Sequence, residues 1–217
     1  WARLAPWVGV YGMGALWATL LAWAVLGASS AGGTRWLGLL SLIGVTASLA
    51  AWSPAPHTRP HGQPLKVALL QSNVAQDEKF DGRMLGAMLV WHGQQLQQAQ
   101  ADLVVAPETA IPLLPEQLPE GYWDGIRAMF GPGQGRSALI GVPLGSLEAG
   151  YSNSVVGLSP DAAQPYRYDK HHLVPFGEFI PLGFRWFVNM MNMPLGDFSR
   201  GPLSAPSFVV KGQRVGP

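Results

Sequence analysis

Two long apolar runs open the chain, and each has the length of a helix. Residues 7–28 contain 22 positions without a charged side chain, which is enough to cross the hydrocarbon core of a bilayer as an α-helix. Residues 36–52 form a second run of 17 positions that begins and ends with tryptophan, a residue typical of membrane interfaces. A polar, Gly-rich turn joins the two runs. The pattern predicts a transmembrane helical hairpin over residues 1–52.

Other interpretations of these runs fit the sequence less well. The first run lacks the basic start and the small-residue cleavage site of a signal peptide, and a second span follows at once. Two core helices of a soluble protein would carry more charge at these lengths. The orientation of the hairpin stays open, because Arg35 marks one side while Arg3 and Arg59 mark the other.

The pattern changes after residues 53–64, a Pro-rich segment that we interpret as a semi-rigid linker. His57 and His61 have the spacing of metal ligands on a helix, but the neighbouring prolines disfavour a helix there. Periodicity then predicts strands at 65–74, 101–108, 137–145, 151–158 and 207–211, and helices at 81–100 and around 122–130. Strand and helix alternate first and strands then follow one another, which predicts an α/β or α+β layered domain over 65–217.

Composition separates the same two parts of the chain. Of the 27 charged residues (14 Lys and Arg, 13 Asp and Glu), only three lie in residues 1–64. The formal net charge of +1 gives no basic face that would indicate nucleic-acid binding. The chain has no cysteine, which excludes a disulfide, a thiolate metal site and a cysteine nucleophile within these 217 residues.

Residues 166–181 concentrate the candidate chemistry, with an Asp, a Lys, two His and a Glu among apolar and rigid neighbours. An ammonium group in such surroundings is desolvated and needs a partner, so we interpret Lys170 as a positioned cation rather than a surface lysine. Glu108 follows a short apolar strand, where open α/β sheets place residues that handle ligands. Desolvation there would raise its proton affinity, as a general base requires. A glutamate that merely caps the following turn is the alternative.

Several motifs carry a resemblance to a known family. They are VALLQSNV at 67–74, APETA at 106–110, YSNS at 151–154, YDKHHLVPFGEFIP at 168–181 and GDFSRG at 196–201. With these motifs, residues 65–217 resemble the nitrilase-like carbon–nitrogen hydrolase superfamily, which uses a Glu–Lys–Cys triad on an α/β fold, the αββα sandwich. The preceding hydrophobic hairpin makes the chain most similar to the membrane-embedded branch of that superfamily, the apolipoprotein N-acyltransferases.

The resemblance implies acyl transfer in two steps through a covalent intermediate. In this family a cysteine thiolate takes an acyl chain from a membrane phospholipid, and the amine of the lipid-modified N-terminal cysteine of an apolipoprotein then accepts it. We expect no cofactor, no metal and no nucleic-acid partner. Carried onto this chain, Glu108 would be the general base, Lys170 would stabilise the oxyanion, and Glu178 would support the site.

Further positions are assigned by the same resemblance and by their apolar surroundings. The residues assigned to positioning or substrate binding are Asn153, Phe176, Trp186 and Met190. The last two belong to an apolar, Met-rich segment that would contact either lipid or the protein core. We interpret His171 and His172 as structural residues, because the family uses neither in its chemistry.

The chain departs from the family's pattern in having no cysteine. We expect the nucleophile just beyond Pro217, and we interpret the sequence as a fragment whose catalytic domain, 65–217, is incomplete. The resemblance also implies the bacterial inner membrane, with the catalytic domain facing the periplasm. Two alternatives stay open: a membrane-tethered amidase or nitrilase acting on small amides, and a non-catalytic binding module anchored to the membrane.

Overall fold

The structure is a computed structural model that describes residues 4–29, 34–52, 58–74, 82–184 and 198–216. The chain forms two compact units, residues 1–61 and residues 62–217. The first unit is helical, and the second contains a mixed sheet with helices and a β-hairpin.

Two apolar helices make up the first unit, α1 (Ala5–Ala28) and α2 (Thr34–Ala51). α1 is long and apolar enough to cross a membrane, and none of its residues is buried. Among the described residues, α1 meets the length and apolar character of a membrane span, and α2 contains a shorter apolar stretch, Trp36–Leu49. The two-span hairpin stays a prediction. The helices approach closely at Gly38, where a Cβ would lie 2.9 Å from the carbonyl oxygen of Trp23.

Five strands form the mixed sheet of the second unit. They are β1 (Val67–Leu69), β2 (Leu103–Val105), β3 (Ser137–Ser146), β4 (Gly150–Leu158) and β5 (Tyr166–Asp169). β1, β2 and β3 pair in parallel, whereas β4 pairs antiparallel with both β3 and β5. Because β5 therefore runs in the same direction as β2, the carboxyl ends of these two strands meet at one edge of the sheet.

Alternate residues of the central strands face two separate hydrophobic clusters, as the strand period of two dictates. On one face, Val104 and Ile140 are buried against α3 (Gly82–Gln98) and α4 (Tyr122–Met129). On the other face, Leu103 and Leu139 pack with Phe208 and Val210 of a further strand. The sheet is thus covered by helices on one side and by strands on the other.

That further strand, β6 (Phe208–Val210), pairs with β7 (Gln213–Val215) in an antiparallel hairpin. The sequence predicts β6 but misses β7. Lys211 and Gly212 form the turn with φ values of 47° and 75°, the positive angles that the favoured two-residue hairpin turn requires at both positions. Lysine is not among the residues that mark such a turn, so the pattern gives no signal for it. The Lys211 ammonium forms an ion pair with Asp102.

The structure confirms the predicted α/β domain and both of its predicted helices. The strands predicted at 65–74 and 101–108 are present but contain only three residues each. After each strand, one more backbone hydrogen bond continues the sheet, from Leu70 N to Val105 O (2.8 Å) and from Ala106 N to Leu139 O (2.9 Å). The residues that follow then leave the sheet.

Arg136, directly before β3, joins the ends of both helices. Its guanidinium donates hydrogen bonds of 2.9–3.1 Å to the carbonyl oxygens of Leu96, Gln97 and Ala99 at the end of α3. It also donates to the carbonyl of Met129 at the end of α4 (3.3 Å). The last carbonyls of a helix lack intrahelical partners and carry partial negative charge, so a cation there both satisfies and stabilises them.

Arg136→Met should lower the free energy of unfolding by about 2–3 kcal/mol, because several helix-end carbonyls lose a charged donor. Chemical denaturation followed by circular dichroism measures this change. Arg214→Met, at an exposed position in β7, is the matched control and should change stability by less than about 0.5 kcal/mol. Equal effects of the two substitutions would contradict the capping role.

Candidate active site

Glu108 lies in a turn that leaves β2 and crosses over β3. Backbone hydrogen bonds hold the turn, from Ala110 N to Pro107 O (3.1 Å) and from Ile111 N to Gly141 O (3.1 Å). The turn passes so close to β3 that a Cβ on Gly141 would lie 2.3 Å from the carbonyl oxygen of Pro107. Glycine at this position therefore determines how closely the Glu108 backbone approaches the sheet.

The residue after the glutamate, Thr109, has a φ of 52°. A β-branched residue rarely adopts this left-handed conformation, which costs on the order of 1–3 kcal/mol. The surrounding hydrogen bonds must supply that energy. Backbone strain of this kind is concentrated at functional sites, which agrees with the position of Thr109 beside the candidate base.

Lys170 directly follows β5, at the edge where β2 also ends. Its backbone N–H donates to the carbonyl of Asn153 in β4 (2.8 Å), and its own carbonyl accepts from the N–H of Gly201 (3.0 Å). Gly201 lies so close that a Cβ there would be 2.0 Å from the carbonyl oxygen of Asp169. Hydrogen bonds to both Asn153 and Gly201 thus fix the Lys170 backbone, and with it the position from which the side chain extends.

Glu178 comes from a tight turn in the loop after Lys170. Its N–H donates to the carbonyl of Val174, and the N–H of Val174 donates to Glu178 Oε2, both at 2.8 Å. Phe176 lies at the bend of this turn and has a positive φ of 60°. The carboxylate therefore closes its own turn, and only 8% of the residue is exposed.

The charged side chains meet at the ammonium group of Lys170. Its Nζ lies 3.1 Å from Glu108 Oε1 and 3.0 Å from each carboxylate oxygen of Glu178. The amide Nδ2 of Asn153 donates to Glu178 Oε1 at 2.7 Å and also to Glu108 Oε1. The structure thus brings together four of the predicted site residues, which we call the carboxylate–lysine cluster: Glu108, Asn153, Lys170 and Glu178.

Electrostatics in the cluster favour the charged forms. Burial lowers the pKa of Lys170, but hydrogen bonds and charges from Glu178 and Glu108 outweigh burial and hold this pKa above its ordinary value. Burial raises the pKa of Glu178, but donors from Val174, Asn153 and Lys170 outweigh burial and hold this pKa below its ordinary value of 4.5. Lys170 and Glu178 therefore form a stable ion pair at neutral pH.

The two carboxylates differ in their contact with solvent. The side chain of Glu108 is 59% exposed, whereas that of Glu178 is 10% exposed. Within the described part of the chain, Glu108 is exposed to solvent, so the prediction that it is desolvated at its strand end is wrong. The turn carries Glu108 beyond the edge of the sheet, and the desolvated carboxylate is that of Glu178.

Residues 198–201 form backbone hydrogen bonds to the Glu178 loop, to β4 and to Lys170 after β5. The N–H of Phe198 donates to the carbonyl of Glu178 (2.9 Å), and the N–H of Ser199 donates to the carbonyl of Tyr151 (2.8 Å). The rings of Phe198 and Tyr151 pack edge to face with centroids 4.9 Å apart. Sequence reasoning included these residues in motifs but missed their positioning role, because no local pattern predicts pairing between such distant segments.

Phe176 lies in the described part of the loop, half-buried and edge-on to Phe184 with ring centroids 5.6 Å apart. Trp186 and Met190, which are also assigned to substrate binding, lie outside the described residues. Their assignment stays a prediction.

His171 packs within the loop. Its Nδ1 lies 2.7 Å from the carbonyl oxygen of Gly201, and its ring meets His172 edge-on at 4.9 Å. Both contacts agree with a structural interpretation of the histidine pair. Within the described ranges, no group of three or more His, Asp or Glu side chains could hold a metal ion.

The cluster combines the elements of acid–base and electrostatic catalysis at one sheet edge. The side chain of Glu108 is largely exposed, and a carboxylate at this position can act as a general base. Lys170 presents a fixed positive charge that can stabilise a developing oxyanion. The 217 residues contain no cysteine, so a thiol nucleophile would have to come from elsewhere in the protein.

Curated relatives match nearly the whole chain. The apolipoprotein N-acyltransferase of Verminephrobacter eiseniae is 48% identical over 228 residues, which cover 99% of this chain and 42% of that protein. The apolipoprotein N-acyltransferase of Ralstonia nicotianae is 44% identical over 218 residues, which cover 100% of this chain and 41% of that protein. The chain is therefore similar to part of these two N-acyltransferases. It spans less than half the length of these curated relatives.

The other comparisons of this chain are weaker. No protein-family model matches the chain. A carbon–nitrogen hydrolase from Helicobacter pylori is 18% identical with a TM-score of 0.40, covering 69% of this chain and 49% of that structure. An N-terminal amidase bound to an Asn-Glu-Ala peptide is 19% identical with a TM-score of 0.33, covering 51% and 29%. At TM-scores this low, the likeness carries no argument about function.

Gly141→Ala should displace the turn that carries Glu108 and lower the free energy of unfolding by about 2–4 kcal/mol, because the new Cβ meets backbone atoms. Thermal unfolding measures the loss. Gly125→Ala in α4 is the control, since a Cβ there meets nothing within 4 Å. It should be neutral or stabilising by up to about 1 kcal/mol. A Gly141→Ala protein as stable as this control would contradict the close approach.

The lowered pKa of Glu178 predicts a loss of stability in acid. A carboxylate whose pKa is lower in the folded state stabilises the fold above the unfolded pKa, and this contribution is lost as the pH falls through the folded pKa. We expect the free energy of unfolding to decrease as the pH falls below 4.5, and Glu178→Gln to flatten this dependence. Denaturation at a series of pH values measures it. The exposed Glu120→Gln should keep the wild-type slope; equal flattening would rule out a specific effect.

Proposed function

We propose that the protein containing these residues transfers an acyl chain from a membrane phospholipid to the N-terminal amine of a lipid-modified cysteine on an apolipoprotein. The observation that carries this proposal is the pairing of Glu108 and Lys170, whose carboxylate and ammonium groups lie 3.1 Å apart at one edge of the sheet. Curated relatives named for this activity support it.

In the first half-reaction, Glu108 takes the proton of a cysteine thiol supplied from outside these 217 residues, and the thiolate attacks the ester carbonyl of the phospholipid. Lys170 stabilises the oxyanion of the tetrahedral intermediate. Collapse of the intermediate breaks the bond between the carbonyl carbon and the glycerol oxygen. Glu108 returns its proton to that oxygen, which gives a lysophospholipid and a thioester.

In the second half-reaction, the amine of the apolipoprotein attacks the thioester carbonyl. Glu108 takes a proton from the attacking nitrogen, and Lys170 again stabilises the oxyanion. The carbon–sulfur bond then breaks, and the thiolate recovers a proton from Glu108. The products are an amide on the lipoprotein and the free thiol, so the catalyst is regenerated.

Glu178 and Asn153 support this cycle without direct contact with the reacting atoms. When Glu108 gains a proton, Lys170 loses the charge of one of its two partners. Glu178 keeps its charge because three donors hold its pKa low, so the ammonium stays charged and in place. Asn153 bonds both carboxylates and therefore keeps Glu108 aligned with Lys170.

The remaining assignments extend the proposal to the membrane. Residues 1–52 are the membrane part, 53–64 the linker, and 65–217 belong to the catalytic domain. In the proposed assembly this domain faces the periplasm from the bacterial inner membrane, and Phe176, Trp186 and Met190 contact the lipid substrate. The length and apolar character of α1 support a membrane location.

Glu108→Gln and Lys170→Ala, placed in the full-length protein, should each lower the rate of acyl transfer by about 10²–10³-fold, because one removes the base and the other the oxyanion stabiliser. Mass spectrometry of a lipoprotein acceptor measures the transfer, and hydroxylamine release of the acyl group measures the thioester. The exposed Glu120→Gln and Lys66→Ala serve as matched controls and should retain activity.

The alternatives give different results in the same experiment. A non-catalytic binding module would show no transfer in the wild type. A role for the pair in structure alone would leave transfer intact in folded Glu108→Gln and Lys170→Ala proteins. An amidase would release ammonia from small amides but would not modify the lipoprotein acceptor. Each of these outcomes would contradict the proposed function.

A further inference from the structure

A cavity of about 220 Å³ lies beside the carboxylate–lysine cluster, and hydrocarbon groups dominate its surface. The residues that give it apolar walls are Pro112, Leu114, Pro143, Leu147, Tyr151 and Phe198. None of the described residues that line it has a charged side chain. One polar lining group, the amide oxygen of Gln117, already accepts a hydrogen bond from the N–H of Leu114 (3.1 Å). The cavity therefore suits an uncharged, apolar ligand.

The cavity begins at the cluster itself. Two of its lining residues are immediate neighbours of the candidate base, since Thr109 follows Glu108 in the chain and Asn153 is hydrogen-bonded to its carboxylate. A third, Phe198, donates its N–H to the carbonyl of Glu178. A carbonyl group bound at the acid–base pair would thus have an apolar space next to it for the chain that it carries.

The cavity also has a closed part and an open part. Leu114 is only 3% exposed and forms part of the floor, whereas Leu147, in the turn between β3 and β4, is 69% exposed. The edge-to-face pair of Tyr151 and Phe198 gives one wall a fixed shape. Leu147 therefore lies where a long chain would leave the cavity.

A second cavity, of about 260 Å³, also touches Thr109, but its chemistry is different. Its lining includes Gln71, Ser72, Asn73 and His92. A hydrocarbon chain placed there would remove polar groups from water without replacing their hydrogen bonds, which is unfavourable. Conversely, a phosphate headgroup placed in the first cavity would find no cationic side chain among its lining residues. The contrast favours the first cavity for hydrocarbon.

We propose that the first cavity, here named the acyl pocket, holds the part of the donor's aliphatic chain next to the reacting carbonyl, and that Leu147 at its mouth selects for long chains. The proposal rests on the proposed acyl-transfer function. It assigns to this chain a recognition role for the acyl group that is separate from the acid–base chemistry of Glu108 and Lys170.

The first test compares para-nitrophenyl octanoate with para-nitrophenyl acetate as acyl donors to the full-length protein, with release of nitrophenol as the readout. Leu147→Arg places a charge at the mouth of the pocket, so we expect kcat/KM for the octanoate to fall about tenfold. The acetate does not reach the mouth, and its kcat/KM should stay within about twofold of wild type. Leu203→Arg, at a leucine that is 79% exposed and does not line the pocket, is the matched control.

The second test does not require turnover. Phosphatidylethanolamine with a diazirine on its acyl chain, close to the carbonyl, is photolysed with the full-length protein in vesicles, and the labelled peptides are identified by mass spectrometry. We expect the label on the peptides that contain Leu114, Tyr151 or Phe198, and we expect Leu147→Arg to reduce it.

Together, the two tests distinguish a failure of the acyl-pocket proposal from a failure of the proposed function. Label on the pocket without acyl transfer to a lipoprotein would support the acyl pocket and contradict the proposed function. Transfer with label only on other segments would overturn the pocket and keep the function. Equal losses for octanoate and acetate in Leu147→Arg, or an equal octanoate loss in Leu203→Arg, would also overturn chain selection at the mouth.

Discussion

A single ammonium group shared between two carboxylates is the interaction on which the site depends. Lys170 is partly buried, so it needs the charge of Glu178 and the nearby oxygen of Glu108 to remain in place. These groups come from two separate strand ends and a loop, so the ion cluster also fixes how those segments meet. The two carboxylates differ in exposure, because Glu178 is buried and keeps its charge while the side chain of Glu108 is open to solvent and ligand.

Backbone contacts, rather than side-chain packing, give the cluster its geometry. Gly141 and Gly201 let neighbouring segments approach closer than any side chain would allow. The N–H groups of Phe198 and Gly201 then join the loop of Glu178 and the end of β5 to one segment. Such contacts have few rotamers to lose, so they hold charged side chains at defined distances with little entropic cost.

The sequence predicts the α/β domain and its helices, because apolar periodicity is a local signal. That Glu108 and Lys170 share one site is what the family resemblance implies. The sequence does not predict β7, whose turn uses a lysine at a positive φ. It also misplaces the burial of Glu108, since the path of a turn over β3 depends on Gly141, a residue that is distant in sequence. The sequence also does not predict the acyl pocket, because its walls come from three segments that only the folded sheet brings together.

The topology of the sheet also orders its assembly in time. β3, β4 and β5 follow one another with short connections, whereas Glu108 and Lys170 are separated by 62 positions. Short loops close at lower entropic cost than long ones, so we expect the β3–β4–β5 meander to form before β2 joins it. Pulsed hydrogen exchange would then protect the amides of β4 before those of β2. A chain that is still folding would hold Lys170 without Glu108, so the carboxylate–lysine cluster would form only after β2 has paired with β3.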